Sequence, residues 1–183
     1  FPTFQLFPLA WAALIPLFLM ALRARTTWVA AGQFFLAGWI FHSFLLQWLT
    51  SNIFWAGGWA VVGYQLLCVA LALFWLAIGF VWRWSLDRKR TTGALGLALL
   101  WVAMEYGQAN LFSGFGWSAL GYSQGPDLAL AQCAALGGVS FVSFLLVWTN
   151  AMLALAWVEK RMRWVRVGGA AAVWAAVTGA EGA

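Results

Sequence analysis

Charged side chains are scarce in this sequence of 183 residues. Asp, Glu, Lys and Arg make up 8% of it, whereas they make up about a quarter of an ordinary soluble domain. Hydrophobic residues make up 64%, and the mean hydropathy is +0.85. So little charge excludes a soluble globular surface, a disordered chain and a module that neutralises nucleic-acid phosphates. The composition therefore indicates a polytopic membrane protein without a nucleic-acid partner.

Metal ligands and nucleophiles are also few. The chain has one histidine, His42, and two cysteines, Cys68 and Cys133, which is too few for a metal site or a disulfide framework. There is no glycine-rich phosphate loop followed by Lys. His42 and Cys68 are predicted at similar depth, and a Cys–His pair is a nucleophile arrangement. Their apolar surroundings disfavour a reactive thiolate, so we expect no catalytic residue, metal or cofactor.

Six segments are long and apolar enough, or nearly so, to cross a bilayer, which takes about 20 residues. Runs such as 69–78 are apolar at every position, so the alternating pattern of a membrane β-barrel is missing. We predict an all-α polytopic membrane helix bundle that forms one membrane domain over 1–183. Pro16 lies inside the first segment and is expected to kink it. The predicted spans are 6–22, 29–50, 59–82, 93–109, 136–157 and 164–180.

The basic residues predict how the bundle is oriented. All ten Lys and Arg fall in three clusters that follow the first, third and fifth predicted spans. Basic loops are retained on the cytoplasmic side, so the segment between spans four and five and the C-terminal end are predicted outside. Trp82 and Trp157 flank the inner clusters, as expected of interfacial tryptophans. The clusters are Arg23 and Arg25; Arg83, Arg88, Lys89 and Arg90; and Lys160, Arg161, Arg163 and Arg166.

The predicted outer interfacial loop, 110–135, does not fit a plain helix bundle. Its first half, 110–126, contains four glycines, Trp117 and Tyr122, a glycine density that disfavours a spanning helix. Asp127 is placed to cap a short helix that follows. Irregular backbone at membrane depth needs protein or a wet cavity to satisfy its polar groups. Two interpretations stay open: a packed connecting loop, or one wall of a lipid-binding cleft open to the outer leaflet.

Glu105 is the only acidic residue within a predicted span. It lies roughly 6 Å below the outer end of that span, at about 1.5 Å per residue. A carboxylate inside the membrane is a functional candidate that needs a partner or water. Gln108, three residues on, shares its helix face. In the structural interpretation, Glu105 bonds Gln108 and loop amides and holds the loop in place.

Several sequence runs resemble the membrane domain of apolipoprotein N-acyltransferases. They are 100–105 (LWVAME), 111–117 (LFSGFGW), 120–124 (LGYSQ), the Gly57–Gly58 pair and 136–139 (LGGV). The resemblance implies transfer of an acyl chain from a phospholipid to the lipid-modified N-terminal cysteine of bacterial lipoproteins. It places that chemistry in a nitrilase-like domain with a Glu–Lys–Cys triad, which follows the membrane helices. Gln108 and Gly116 depart from the Arg and Pro usual in the family.

The resemblance assigns this chain a supporting role. We expect no nitrilase-like domain and no triad residue in this chain, and we expect the chain alone to be inactive, anchoring the enzyme and guiding lipid. The implied partners are a phospholipid donor, a lipoprotein acceptor and membrane lipids, at the bacterial inner membrane with the C-terminal end in the periplasm. Alternatives are a non-catalytic module associated with an envelope enzyme such as a polyprenol-sugar synthase, or a transporter, which usually shows internal repeats. The candidate lipid or substrate cleft consists of Glu105, Gln108, Trp117, Tyr122 and Gln124.

Overall fold

The computed structural model describes residues 7–52, 57–87, 93–111, 114–126, 128–158 and 163–178. These residues form six α-helices and four 3-10 helices and contain no strand, which confirms the predicted all-α class. The α-helices are α1 (Ile15–Leu22), α2 (Thr27–Leu45), α3 (Trp59–Asp87), α4 (Ala94–Asn110), α5 (Leu128–Val158) and α6 (Arg163–Thr178). The 3-10 helices are Phe7–Trp11, Gln47–Asn52, Gly116–Ser118 and Leu120–Gln124.

Three helices in the described part of the chain are long and apolar enough to cross a membrane. They are α2, α3 and the stretch Gln132–Val158 of α5. The chain is therefore a polytopic helical membrane protein, as the hydropathy indicated. A shorter apolar stretch runs over Phe7–Leu22. The count of six spans stays a prediction.

The first predicted span is divided rather than kinked by Pro16. A 3-10 helix, Phe7–Trp11, precedes α1, and Pro16 lies in the first turn of α1. The first N–H groups of a helix have no partner within it, so proline at this position removes no helical hydrogen bond. The predicted kink inside a continuous helix is therefore wrong, because the α-helix begins only at Ile15.

Asn150 satisfies the backbone where the first span is divided. Its side chain is fully buried, and Oδ1 accepts the Leu14 N–H at 3.1 Å. Nδ2 donates to the carbonyls of Ala10 at 2.9 Å and Leu146 at 2.8 Å. Backbone groups freed at membrane depth must be satisfied by protein, so this one amide permits the break and fastens it to α5.

An aromatic cluster forms the centre of the bundle. The Phe18 ring is fully buried and lies 6.1 Å from that of Phe34, 5.8 Å from Trp82 and 6.5 Å from Trp101. Trp82 therefore belongs to the core, and its predicted place in the interfacial belt is wrong. Hydropathy gives the depth of a residue along a helix but not the side of the helix on which it lies. Trp157, by contrast, is exposed.

The loop after α1 and the end of α3 lie at the same end of the bundle. Arg83 donates to the Ala24 carbonyl at 3.2 Å and pairs with Asp87 one turn along its own helix. Thr27, at the start of α2, donates to Asp87 at 3.0 Å. Two of the three basic clusters thus meet at one end. Arg88, Lys89, Arg90, Lys160 and Arg161 lie outside the described residues, as do the side chains of Arg163 and Arg166.

Helices α2 and α3 approach each other closely through glycines. A Cβ added to Gly79 would lie 2.6 Å from the Phe34 ring, and one added to Gly38 would lie 2.7 Å from the Trp75 ring. Both distances are far below van der Waals contact. Glycine at these two positions therefore lets a large ring of the neighbouring helix pack against the backbone, as is common in membrane bundles.

We expect Gly79→Ala to destabilise the bundle by about 1–3 kcal/mol, because the new methyl group overpacks the Phe34 site. The measurement is unfolding of the purified protein in mixed micelles, followed by tryptophan fluorescence. Gly63→Ala is the matched control on the same helix, since nothing lies within 4 Å of its added Cβ. That control should leave stability unchanged or raise it by up to about 1 kcal/mol. Equal losses in the two variants would contradict the packing role of Gly79.

Candidate functional site

The candidate site is the segment 114–126 between α4 and α5, called here the 114–126 loop. Its backbone turns back onto α4: the Phe115 N–H donates to the Gln108 carbonyl at 2.6 Å, and the Gly114 N–H donates to the Leu111 carbonyl at 3.0 Å. Gly114 has a φ of +74°, which is the left-handed region that favours glycine. A Cβ there would also lie 2.4 Å from the Ala109 carbonyl oxygen. The turn therefore requires glycine at this position.

Glu105 fastens the loop from beneath. One carboxylate oxygen, Oε1, accepts the Leu120 N–H at 2.8 Å and the Trp101 indole N–H at 2.9 Å. The side chain is only 6% exposed. Its second oxygen, Oε2, has no hydrogen-bond partner among the described residues. Glu105 thus bonds a loop amide, in line with the structural interpretation.

Gln108 joins the loop to a different helix. Its Nε2 donates to the Leu71 carbonyl of α3 at 3.2 Å, and its Oε1 accepts from the Ser118 hydroxyl at 3.4 Å. The expected bond from Glu105 to Gln108 is not among the hydrogen bonds of the described residues; Gln108 bonds Leu71 and Ser118 instead. Gln108 therefore supports the loop in parallel with Glu105.

The far end of the loop is held by α5 and by the start of the chain. The Gly121 N–H donates to the Ser143 hydroxyl at 2.8 Å, and the buried Gln124 side chain donates to the Phe7 carbonyl at 2.9 Å. A Cβ on Gly121 would lie 2.4 Å from the Val139 carbonyl oxygen, so only glycine allows this approach. We did not predict Ser143, because a serine in an apolar helix carries no signal of its contact.

Helix α5 is broken near its beginning. Gly138 has a φ of +68° and divides α5 into a short first part and a long second part. A glycine readily adopts this left-handed conformation. The break separates the helix that follows the loop from the part that carries Ser143. The cap predicted at Asp127 lies outside the described residues.

The outer surface of the loop is aromatic. The Trp117 ring stacks on that of Trp48 at 6.1 Å and lies 6.0 Å from that of Phe115. Trp117 is 68% exposed, and Tyr122 is exposed as well. Trp48 lies in the 3-10 helix after α2, so the stack connects the loop to that turn. We did not predict the pairing of Trp48 with Trp117.

The five predicted site residues are therefore divided into two groups. Glu105, Gln108 and Gln124 are buried beneath or within the loop, while Trp117 and Tyr122 are exposed on it. In this conformation, a lipid at the surface can contact the two aromatic residues. The three buried residues fasten the loop.

The candidate Cys–His pair, Cys68 and His42, is not assembled as a reactive site. His42 is buried, with Nδ1 2.7 Å from the Gly38 carbonyl oxygen, and Cys68 interacts with Tyr64 and Ser43. No hydrogen bond joins His42 to Cys68 in the part of the chain that the structure describes. Within that part there is also no group of three or more His, Cys, Asp or Glu residues that could hold a metal ion.

The fold and the loop define a class: a polytopic helical membrane domain that carries a fastened, aromatic loop over a buried carboxylate. Residues 1–152 match the family model described as apolipoprotein N-acyltransferase N-terminal domain. The chain therefore belongs to that family, which confirms the resemblance seen in the sequence runs.

Individual relatives agree with this assignment. The chain is 35% identical over 157 residues to an apolipoprotein N-acyltransferase of Geobacter metallireducens. The aligned region covers 84% of the chain and 30% of the relative. It is 33% identical over 181 residues to the protein of that name from Nitrosomonas europaea. Here the aligned region covers 95% of the chain and 36% of the relative. The chain thus spans about a third of the length of these relatives. These matches do not support the polyprenol-sugar synthase alternative.

We expect Glu105→Ala to loosen the 114–126 loop, because it removes the acceptor of the Leu120 N–H. A buried donor left without its acceptor costs about 1–3 kcal/mol, which corresponds to about 5- to 150-fold faster exchange of that amide. Hydrogen–deuterium exchange of the purified protein measures it. Glu105→Gln keeps a carbonyl acceptor and is the matched control. Unchanged exchange at Leu120 in Glu105→Ala would show that the carboxylate does not hold the loop.

Proposed function

We propose that this chain is the membrane-embedded portion of an apolipoprotein N-acyltransferase. Such an enzyme transfers an acyl chain from a phospholipid to the amino group of the lipid-modified N-terminal cysteine of a bacterial lipoprotein. The observation that carries the proposal is the family match over residues 1–152. Both relatives described above are named apolipoprotein N-acyltransferase, which supports the proposal as well. The phospholipid donor and the lipoprotein acceptor are the proposed partners.

In this proposal the chain positions lipid and does not perform the chemistry. The Glu–Lys–Cys triad belongs to a nitrilase-like domain, and none of its residues is assigned here. A cysteine nucleophile needs a thiolate, an activating base and charge stabilisation. Cys68 is buried between apolar neighbours, which disfavours a thiolate. The helices anchor the enzyme, and the 114–126 loop guides phospholipid.

The exposed aromatic residues of the loop suit contact with lipid. Trp and Tyr prefer the headgroup region of a bilayer, where the ring meets apolar chains and the polar atom meets water. Trp117 is held on Trp48 by stacking, and the loop beneath it is fastened by Glu105 and Ser143. The aromatic surface is therefore fixed in place before lipid arrives, which lowers the entropy cost of binding.

We further propose that the protein lies in the bacterial inner membrane, with the 114–126 loop and the C-terminal end facing the periplasm. The basic clusters support this orientation, because Lys and Arg are retained in cytoplasmic loops. The contact of Arg83 with the Ala24 carbonyl supports it too, since it joins two of these clusters at one end. The loop then lies on the side where lipoproteins are modified.

The orientation predicts where single cysteines are labelled. In a variant without Cys68 and Cys133, we expect Tyr122→Cys to react with a membrane-impermeant maleimide in intact spheroplasts. Arg25→Cys, which is also at an exposed position, should react only after the membrane is permeabilised. The readout is the mass shift of the protein on a gel. The reverse pattern would overturn the proposed topology.

Lipid guidance predicts a kinetic effect of Trp117→Ala in the full-length enzyme. We expect acyl transfer to fall roughly two- to tenfold at limiting phospholipid, as for the loss of an aromatic contact worth about 0.5–1.5 kcal/mol, and to recover at saturating phospholipid. The assay measures acylation of a lipopeptide acceptor in mixed micelles.

Trp28→Ala is the matched control, because Trp28 is 69% exposed, nearly the same as Trp117, but lies beside the first basic cluster. The control should leave the dependence on phospholipid concentration unchanged. If the two variants lose activity alike, the loop has no special role in guiding lipid.

A further inference from the structure

A cavity of about 100 Å³ lies directly beneath the 114–126 loop. Ser118 and Leu120 of the loop line it from above, and Trp101 and Glu105 of α4 line it from the side. The rest of its wall is apolar and comes from the start of α1 and from α2, α3 and α4, including Leu14, Phe41, Trp75 and Met104. The cavity therefore lies among four helices and the loop.

The carboxylate that lines this cavity interacts with the Ser143 hydroxyl as well as with Leu120 and Trp101, but one of its oxygens lacks a hydrogen-bond partner among the described residues. Glu105 Oε1 is fixed by two donors, the Leu120 N–H and the Trp101 indole N–H. Because both donors hold the group in one orientation, Oε2 cannot turn toward either of them without losing a bond. Glu105 is 94% buried, as its exposure of 6% shows, and Oε2 has no partner among the described residues. A buried oxygen of this kind requires a hydrogen-bond donor.

The wall of the cavity limits what that donor can be. The Ser118 hydroxyl donates its hydrogen to Gln108, so its oxygen can still accept a bond. A ligand here can therefore donate to two oxygens, and it must be small. A water molecule occupies about 30 Å³ and typically makes about three hydrogen bonds, so this volume holds roughly three waters.

Other ligands fit the cavity less well. An alkyl chain would match the apolar wall but would leave the carboxylate oxygen buried without a donor, which is costly. A divalent cation such as Ca²⁺ takes six or more oxygen ligands, whereas one carboxylate and one hydroxyl line this cavity. Water is the ligand whose size and hydrogen bonding agree with both groups.

We propose that this cavity is a buried hydration site, in which ordered water donates to Glu105 Oε2 and Ser118 Oγ and supports the loop from below. Ala13 lines the cavity and is also exposed at the surface, in the turn before α1. The inference of this hydration site rests on the geometry alone and does not require the proposed acyl transfer.

Hydroxyl-radical footprinting tests this proposal, because radicals formed from bound water oxidise the side chains beside it. The purified protein in lipid nanodiscs is exposed to a synchrotron beam, and oxidation is quantified by mass spectrometry. Trp101 and Trp82 are a matched pair: they are 1% and 0% exposed, and both rings pack on Phe18. Only Trp101 lines the cavity. We expect Trp101 to be oxidised several-fold faster than Trp82.

A second measurement fills the cavity from its rim. In Ala13→Phe, we expect the oxidation rate of Trp101 to fall to that of Trp82, while the exposed Trp28 keeps its rate. Equal, slow oxidation of Trp101 and Trp82 in the unmodified protein would overturn the proposal and indicate a dry or alkyl-filled cavity. Fast oxidation of Trp101 that persists in Ala13→Phe would also overturn it, because the oxidation would then not depend on the water that this cavity holds.

Discussion

The structure of the end of the bundle that carries the 114–126 loop depends on one constraint: irregular backbone at membrane depth must be satisfied by protein. The bond from the Leu120 N–H to Glu105 is the main instance, and Ser143 and Gln124 serve the same purpose for Gly121 and Phe7. Lipid offers no alternative donors or acceptors, so each of these polar side chains replaces a helical hydrogen bond. One oxygen of Glu105 accepts two donors, the Leu120 N–H and the Trp101 indole N–H. Glu105 therefore suits the position that holds the middle of the loop.

This arrangement separates the groups that hold the loop from those that meet the surroundings. The polar contacts all lie below the loop, which leaves Trp117 and Tyr122 exposed above it. An intramembrane carboxylate need not be a catalytic group, because its cost near the interface is modest and its loop contact offsets part of that cost. The same reasoning applies to Asn150, whose three bonds permit the division between the 3-10 helix and α1. In both places, a buried polar residue marks a break in helical backbone.

Sequence patterns predict the fold class and the depth of a residue along its helix well. They predict poorly which residues of other helices it contacts. Hydropathy was sufficient for an all-α membrane bundle, and the glycine density of 110–126 was sufficient to locate an irregular segment. The contacts of Ser143 and the core position of Trp82 depend on how each helix is rotated about its axis, which packing against other helices decides. Pro16 is a similar case, since whether a proline kinks a helix depends on where that helix begins. The proposed function rests on the resemblance to a family, since no single residue of this chain specifies it.

The close packing of α2 and α3 gives the loop a firm support. Gly38 and Gly79 allow Trp75 and Phe34 to press against the opposing backbone, and interiors packed at this density transmit displacement rather than absorb it. Trp75 in turn lies 4.6 Å from the Trp101 ring, and Trp101 bonds the carboxylate that holds Leu120. A continuous series of contacts thus joins the packing of the two long helices to the position of the loop. This arrangement suits the proposed role in guiding lipid, because an aromatic surface can select a position for lipid only if it is itself held still.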